Sequence, residues 1–407
     1  MKSYLVIFLT LFVSGLNFLY GILNTRFLGL NEIGIYSLII QSINTLVLIS
    51  DVGLSTAFLK FYSENYRKDK KTSDEVLTNS FYLKGIISLI LILAFSISLP
   101  LWGKDFIQYM GLKRVIIMLS TIFTISISEL LMSKYRAQGR FKSFFIYKFL
   151  MAFMRLIPMG IFYYIGTYNL SSSMDIFTYS AITIVILLLF DQKELFKKPC
   201  IQIELVKKLF HFSKWIFISN ISLAFILNGT LELYYLKLYS TKEDLGYFSA
   251  LLIFFTILNV LNTSLTTLFF PKFASCSKEE LKQQVNKAFK MGIVLALPLI
   301  MLIPFIKIFI KLTIGEGYMG AYKFAIILLF AFFIELVSQV FRLVLYIKAN
   351  KIIAFINVFQ FLGSAVLGFV LIGILKIGIL GAVLSIFIVR VIGAVYMWNS
   401  YKKVIAE

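Results

Sequence analysis

The chain has 407 residues, of which 59% are hydrophobic and only 15% charged. No soluble domain could bury that much apolar surface, so composition excludes an ordinary soluble protein and points to one embedded in lipid. The formal net charge of +20 does not point to nucleic acid, because the cations lie in short loops between apolar stretches.

A membrane-crossing helix needs about 20 apolar residues. In chain order the candidate spans are 3–25, 33–60, 79–101, 113–133, 143–166, 175–190, 215–238, 246–270, 291–311, 319–347, 352–374 and 378–399. All are predicted to be helices, because an open strand would leave backbone groups unpaired in lipid. The first is read as a span and not a cleaved signal peptide, since no small-residue cleavage site precedes Arg26. The longest loop, 191–214, reads as a surface linker between two six-helix halves, 1–190 and 215–407. Pro158, Pro298 and Pro304 fall inside spans and each removes a helical hydrogen bond.

Lysine and arginine are unevenly shared between the two sides. One side carries Lys2, Lys60, Arg67, Lys68, Lys70, Lys71, Lys134, Arg136, Arg140, Lys142, Lys193, Lys197, Lys198 and the later Lys-rich loops; the other has Arg26, Lys104, Lys242, Lys376 and a few more. The first side is expected in the cytoplasm, together with both termini. Cys200 and Cys276 fall in these basic loops and imply no disulfide framework. With six spans per half, the halves insert the same way up, as in transporters built from parallel repeats.

Two internal matches support duplication. Glu32-Ile33-Gly34-Ile35-Tyr36-Ser37 aligns with Asp244-Leu245-Gly246-Tyr247-Phe248-Ser249, and at the same offset Phe58, Lys60, Phe61 and Ser63 meet Phe270, Lys272, Phe273 and Ser275. A second pattern, Glu129-x6-Arg136 in the fourth span, recurs as Glu335-x6-Arg342 in the tenth. Seven residues is nearly two helical turns, so acid and base share a face in each copy. These pairs are expected to be structural or gating pairs.

Enzyme chemistry has little to stand on. His211 is the single histidine, in the linker; no cluster has metal-ligand spacing and no glycine-rich phosphate loop occurs. No cofactor or metal is implied. What remains are ionisable residues at membrane depth. Asp51, Arg155, Glu232, Glu335 and Arg390 lie well inside spans; Lys84, Glu129, Lys148 and Arg342 lie one to two turns from a cytoplasmic end. Such residues cost about 2.5–3.5 kcal/mol at mid-span and usually face a cavity or a partner. For Lys84 and Lys148, snorkelling to the interface is the simpler expectation. Arg155 and Arg390 are too deep to snorkel and suit an anionic substrate, since guanidinium grips phosphate with paired hydrogen bonds. Tyr163, Tyr164, Tyr234 and Tyr235 sit near span ends, where a headgroup belt is the ordinary reading.

The stretch Arg26-Phe27-Leu28-Gly29, Glu32-x-Gly34-x-Tyr36 and Asp51-x-Gly53-Leu54, with the turn Arg136-Ala137-Gln138-Gly139-Arg140, resembles bacterial polysaccharide-biosynthesis flippases of the multidrug/oligosaccharidyl-lipid/polysaccharide (MOP) transporter superfamily. The similarity in span number and halves covers the whole chain. The resemblance implies an all-α integral membrane protein of about twelve transmembrane helices, in two six-helix lobes around a central cavity. It implies a multi-pass protein of the bacterial cytoplasmic membrane that moves a polyprenyl-pyrophosphate-linked oligosaccharide to the outer leaflet by alternating access. The implied partners are that lipid-linked substrate, membrane lipids, a coupling H+ or Na+ and a polysaccharide polymerase. Substrate candidates in the cavity are Arg155, Arg390, Asp51, Glu232 and Arg26. The lipid II branch of the superfamily carries an arginine cluster in its first helix; here that helix has only Arg26, near its end, with Ser14 and Tyr20 deeper. A cation-coupled multidrug exporter on the same fold is the rival reading, and it would depend on acids such as Asp51 and Glu335. A membrane glycosyltransferase, polymerase or ligase would need a sizeable outer loop, whereas no outer loop here exceeds about a dozen residues.

Overall fold

The computed structural model describes residues 3–66, 69–102, 107, 111–192, 202–275 and 278–406. Lys2, Arg67, Lys68, Lys104, Lys193, Lys197, Lys198, Cys200 and Cys276 lie outside the described residues. Among those described there are helices and no strands.

The helices are α1 (Ser3–Asp51), α2 (Leu54–Asn65), α3 (Lys70–Trp102), α4 (Leu112–Ala137), α5 (Phe141–Tyr164), α6 (Leu170–Asp191), α7 (Ile203–Asn228), α8 (Thr230–Tyr239), α9 (Lys242–Ser275), α10 (Lys278–Met301), α11 (Ile306–Thr313), α12 (Tyr322–Lys348), α13 (Asn350–Gly368) and α14 (Gly378–Ala406). Ten helices among the described residues are long and apolar enough to cross a membrane, or eleven if the bent pair Ile203–His211 and Ser213–Ile226 is one span. The first of these, Phe8–Asp51, has 44 residues. A helix that long would reach about 66 Å, more than twice the thickness of the hydrocarbon layer. Gly29, with φ 71° and ψ 177°, breaks it in two. With that break α1 supplies two crossings, and counted with the bent pair the described residues hold twelve candidate spans.

Local chemistry sets the other ends. Asp69 opens α3: its carboxylate accepts from the Thr72 hydroxyl at 2.5 Å and from the Lys71 and Thr72 amides. Those bonds, the Thr72 hydroxyl first, hold its pKa below the ordinary carboxylate value. At the end of α4, Gly139 takes a left-handed φ of 71°. The Arg140 amide then reaches back to the Tyr135 carbonyl at 2.8 Å and the Gly139 amide to Arg136 at 3.0 Å, closing the helix with a Schellman cap. Asn169 and Ser172 form a reciprocal capping box at the start of α6.

The prolines behave differently from one another. α5 runs unbroken through Pro158 and α10 through Pro298, but Pro304 falls in a short 3₁₀ turn, Ile303–Phe305, that divides the ninth span. The second span, read from sequence as one helix over 33–60, stops at Asp51. Val52 (φ 45°) and Gly53 (φ 71°) are both left-handed there, a conformation that strains a β-branched residue. Ser213 of α7 bonds the Gly53 carbonyl at 3.2 Å. A Cβ on Gly53 would come within 3.0 Å of Ser213, so only glycine lets α7 approach this closely.

The chain forms two compact units, one of residues 1–20 and 39–221, the other of 21–38 and 222–407. In the first unit Leu54, Phe58 and Tyr62 of α2 pack with Leu130, Leu131 and Tyr135 of α4, Ile184 and Leu188 of α6 and Leu209 of α7. In lipid such packing, more than escape from water, holds helices together. The second unit brings the two repeated hairpins face to face. A Cβ on Gly34 would lie 3.0 Å from the Leu245 side chain, and one on Gly246 would strike the Leu30 carbonyl oxygen. The matched glycines are thus the contact at which the start of the second span meets the start of α9. Tyr318 adds a hydrogen bond of 2.8 Å to the Thr25 carbonyl within the same unit.

Candidate functional site

Within the first unit, α4 and α5 each carry two charges seven residues apart: Glu129 and Arg136 on α4, Lys148 and Arg155 on α5. The spacing keeps each pair on one helix face. α4 is buried along most of its length, yet Glu129 and Arg136 are exposed. Lys148 and Arg155 are half-buried. Lys148 lies about 10 Å and Arg155 about 21 Å along α5 from its start at Phe141, well inside a layer about 30 Å thick.

The four charges act on one another: Lys148 feels Glu129, Arg136 and Arg155, and Arg136 feels Glu129. Arg136 donates to the Ser133 hydroxyl at 2.7 Å and covers the Phe144 ring at 5.4 Å. Arg155 donates to the Ser180 hydroxyl of α6 at 3.2 Å and stacks over Phe177 at 4.5 Å. Among the described residues, Glu129 makes no ion pair with Arg136 or Lys148. The first copy of the Glu-x6-Arg pattern is therefore not closed on itself. Three cations stand against one carboxylate on a partly open face, an arrangement that favours an anion.

The second copy is closed. Glu335 and Arg342 of α12 form an ion pair, both fully buried, and Arg342 also bonds Gln339 at 3.0 Å. Arg390 of α14 is fully buried beside them and lies against the touching rings of Phe255 and Phe332, at 5.5 and 4.8 Å. Glu232 at the start of α8 is likewise enclosed; it accepts from the Ser364 hydroxyl at 2.6 Å and the Ser385 hydroxyl at 3.3 Å. Two acids and two arginines are thus buried in the second unit, with Glu335–Arg342 as the ion pair between them, while Arg390 donates to the Ile226 carbonyl at 3.4 Å. Arg390 and Glu232, read from sequence as cavity residues, have no open face here. Arg26 is exposed, also in the second unit.

Asp51 and Lys84 depart from expectation together. Lys84 does not snorkel: it is fully buried, and its Nζ lies 2.6 Å from the Asp51 carboxylate and 2.9 Å from the Ser55 hydroxyl. The Ser55 hydroxyl donates to the same carboxylate at 2.5 Å. Asp51 is therefore taken up in tying the broken second span to α3. The pair is 33 positions apart on different helices, and no spacing rule could have found it. Lys148 was legible: it precedes Arg155 by the same seven residues that separate Glu129 from Arg136. Of the tyrosines, Tyr163 and Tyr164 are exposed at the end of α5, while Tyr235 bonds the Ala365 carbonyl at 3.0 Å.

Residues 23–323 match the family model described as polysaccharide biosynthesis protein. No curated protein matches the sequence. Among solved structures, the lipid II flippase MurJ in an inward closed conformation superposes with a TM-score of 0.79 at 16% identity, over 98% of this chain and 88% of that one. An inward-facing multidrug resistance MATE family transporter of the MOP superfamily superposes with a TM-score of 0.75 at 13% identity, over 98% of both chains. A MOP superfamily transporter from Pyrococcus furiosus gives 0.58 at 15% identity, over 99% of this chain and 94% of that one. At such identities the likeness is one of fold. The chain belongs to the polysaccharide biosynthesis protein family and carries the fold of the MOP superfamily transporters.

Proposed function

We propose that the chain is a flippase that carries a polyprenyl-pyrophosphate-linked oligosaccharide across the bacterial cytoplasmic membrane by alternating access, for assembly of a surface polysaccharide. The observation that carries this reading is the charged face of α4 and α5. Lys148 and Arg155 sit at a depth where a cation is costly, and with Arg136 at the end of α4 they outnumber Glu129. A pyrophosphate crossing the same depth is costly too, and bringing the two together lowers both costs. The family membership supports a polysaccharide pathway, in which a polysaccharide polymerase would receive the product. Lys and Arg bias supports an orientation with both termini and the 191–214 linker in the cytoplasm. In this reading Glu335–Arg342 and Asp51–Lys84 are structural pairs, and H+ or Na+ supplies the coupling.

The drug-exporter reading relies on free acids at Asp51 and Glu335. Both are engaged by a buried cation, Lys84 and Arg342, which weighs against it. The test is export of surface polysaccharide in cells lacking the native gene. Arg155→Ala and Lys148→Ala should each reduce export, and the double variant should abolish it, with protein abundance unchanged. Arg155→Lys should be intermediate, because lysine keeps the charge and loses the planar fork. Full export by the double variant would overturn the assignment.

A further inference from the structure

The first unit holds an apolar groove that the charged face does not use. It lies between the first stretch of α1 and α5, has a volume of about 600 Å³, and is lined by Phe12 and Val13 on one side and Ile146, Phe149 and Phe153 on the other. Phe12 and Phe149 stack across it with ring centres 5.7 Å apart, and Phe149 meets Phe153 at 4.4 Å. Lys142 is the one charged residue of its lining, exposed at the start of α5 just after Arg140. The volume falls in the range of ordinary ligand pockets.

We infer that this groove seats the isoprenoid chain of a polyprenyl pyrophosphate, with the Lys142 ammonium taking its phosphate end. The inference rests on the flippase reading and adds to it a place for the lipid tail. Three features of the groove argue for this occupant. First, from Lys142 to Phe153 the helix rises about 16 Å, half the hydrocarbon thickness, so the groove covers one leaflet. Second, its charge lies at the end where a headgroup would sit, and a pyrophosphate is more strongly anionic than a zwitterionic phospholipid. Third, apart from Lys142 the lining is wholly apolar, as a hydrocarbon tail requires. The same face of α5 continues outward through exposed Ile157 and Ile161, whereas Lys148 and Arg155 lie on the opposite side of the helix. α5 thus presents its apolar side to the tail and its cationic side to the head at a later stage of transfer.

The test uses the full-length protein in nanodiscs of phosphatidylethanolamine and phosphatidylglycerol, with radiolabelled polyprenyl pyrophosphate as probe. Ile146→Trp, which fills the groove, and Lys142→Glu, which reverses its charge, should each weaken binding about tenfold. Excess phosphatidylglycerol should not displace the probe. A second measurement leaves the fold untouched: a polyprenyl pyrophosphate with a diazirine in its tail should label wild-type protein on peptides containing Phe12 and Phe149. Labelling elsewhere, unchanged binding in both variants, or displacement by phosphatidylglycerol at equal mole fraction would overturn the groove assignment. If both variants bind normally while Arg155→Ala binding is lost, the groove fails and the flippase reading stands. If wild-type protein does not bind the probe at all, that reading fails with it.

Discussion

Lys84 has no water to turn to. It is fully buried, and its ammonium has the Asp51 carboxylate at 2.6 Å and the Ser55 hydroxyl at 2.9 Å. Asp51→Asn keeps the shape and one acceptor but leaves the ammonium without a counter-charge. Breaking a buried pair in this way costs about 3–5 kcal/mol. Lys84→Met should cost less, because the half-buried Asp51 carboxylate keeps the amide and hydroxyl of Ser55 as donors, at 3.3 and 2.5 Å. The double variant should resemble Lys84→Met alone, so the two changes should couple favourably by about the 3–5 kcal/mol that Asp51→Asn costs by itself. Unfolding of the purified protein in mixed micelles with rising SDS fraction reads each of these differences. Two single losses that simply add in the double variant would refute the pairing and reopen Asp51 as a free acid.

Other consequences follow from the packing. Gly246→Ala should destabilise the second unit by about 1–3 kcal/mol in the same assay, because its Cβ meets the rigid Leu30 carbonyl; Gly34→Ala should be milder, since it meets the yielding Leu245 side chain. Arg390→Met should lower folded protein on size-exclusion chromatography, whereas Arg155→Met should leave folded yield intact and lower export, because Arg390 is fully buried and Arg155 is half-buried. Single cysteines at Lys70 and Lys242, in a background lacking Cys200 and Cys276, should be labelled by an impermeant thiol reagent on intact cells at 242 and not at 70; the reverse would invert the orientation.

The helices were legible because each span needs its own apolar run, and the cations between them mark the ends. Their true lengths were less so. α3 starts at Lys70 and α10 at Lys278, each well before its apolar run, because helix hydrogen bonding continues into water where hydropathy no longer reports it. The break at Val52-Gly53 lies inside an apolar run, and only the glycine hints at it. Glu335 and Arg342 share a helix, so their spacing was enough to bring them together. Glu129 and Arg136 have the same spacing, yet among the described residues they form no ion pair, and the guanidinium bonds Ser133 and covers Phe144. Sequence periodicity tells which residues share a face, not which neighbour wins. Arg390 shows the same limit: depth in the membrane was readable, but burial against Phe255 and Phe332 was not.

The central claim is that three cations on α4 and α5 carry a lipid-linked pyrophosphate through the membrane. The most direct measurement is translocation by purified protein in proteoliposomes, with a fluorescent oligosaccharide on a polyprenyl pyrophosphate, read by loss of accessibility to an external quencher. Wild-type protein should move the substrate. Lys148→Met with Arg155→Met should stop it while the purified variant unfolds as wild type does. Equal translocation by this double variant and the wild type, or none by the folded wild type under an imposed H+ or Na+ gradient, would contradict the claim.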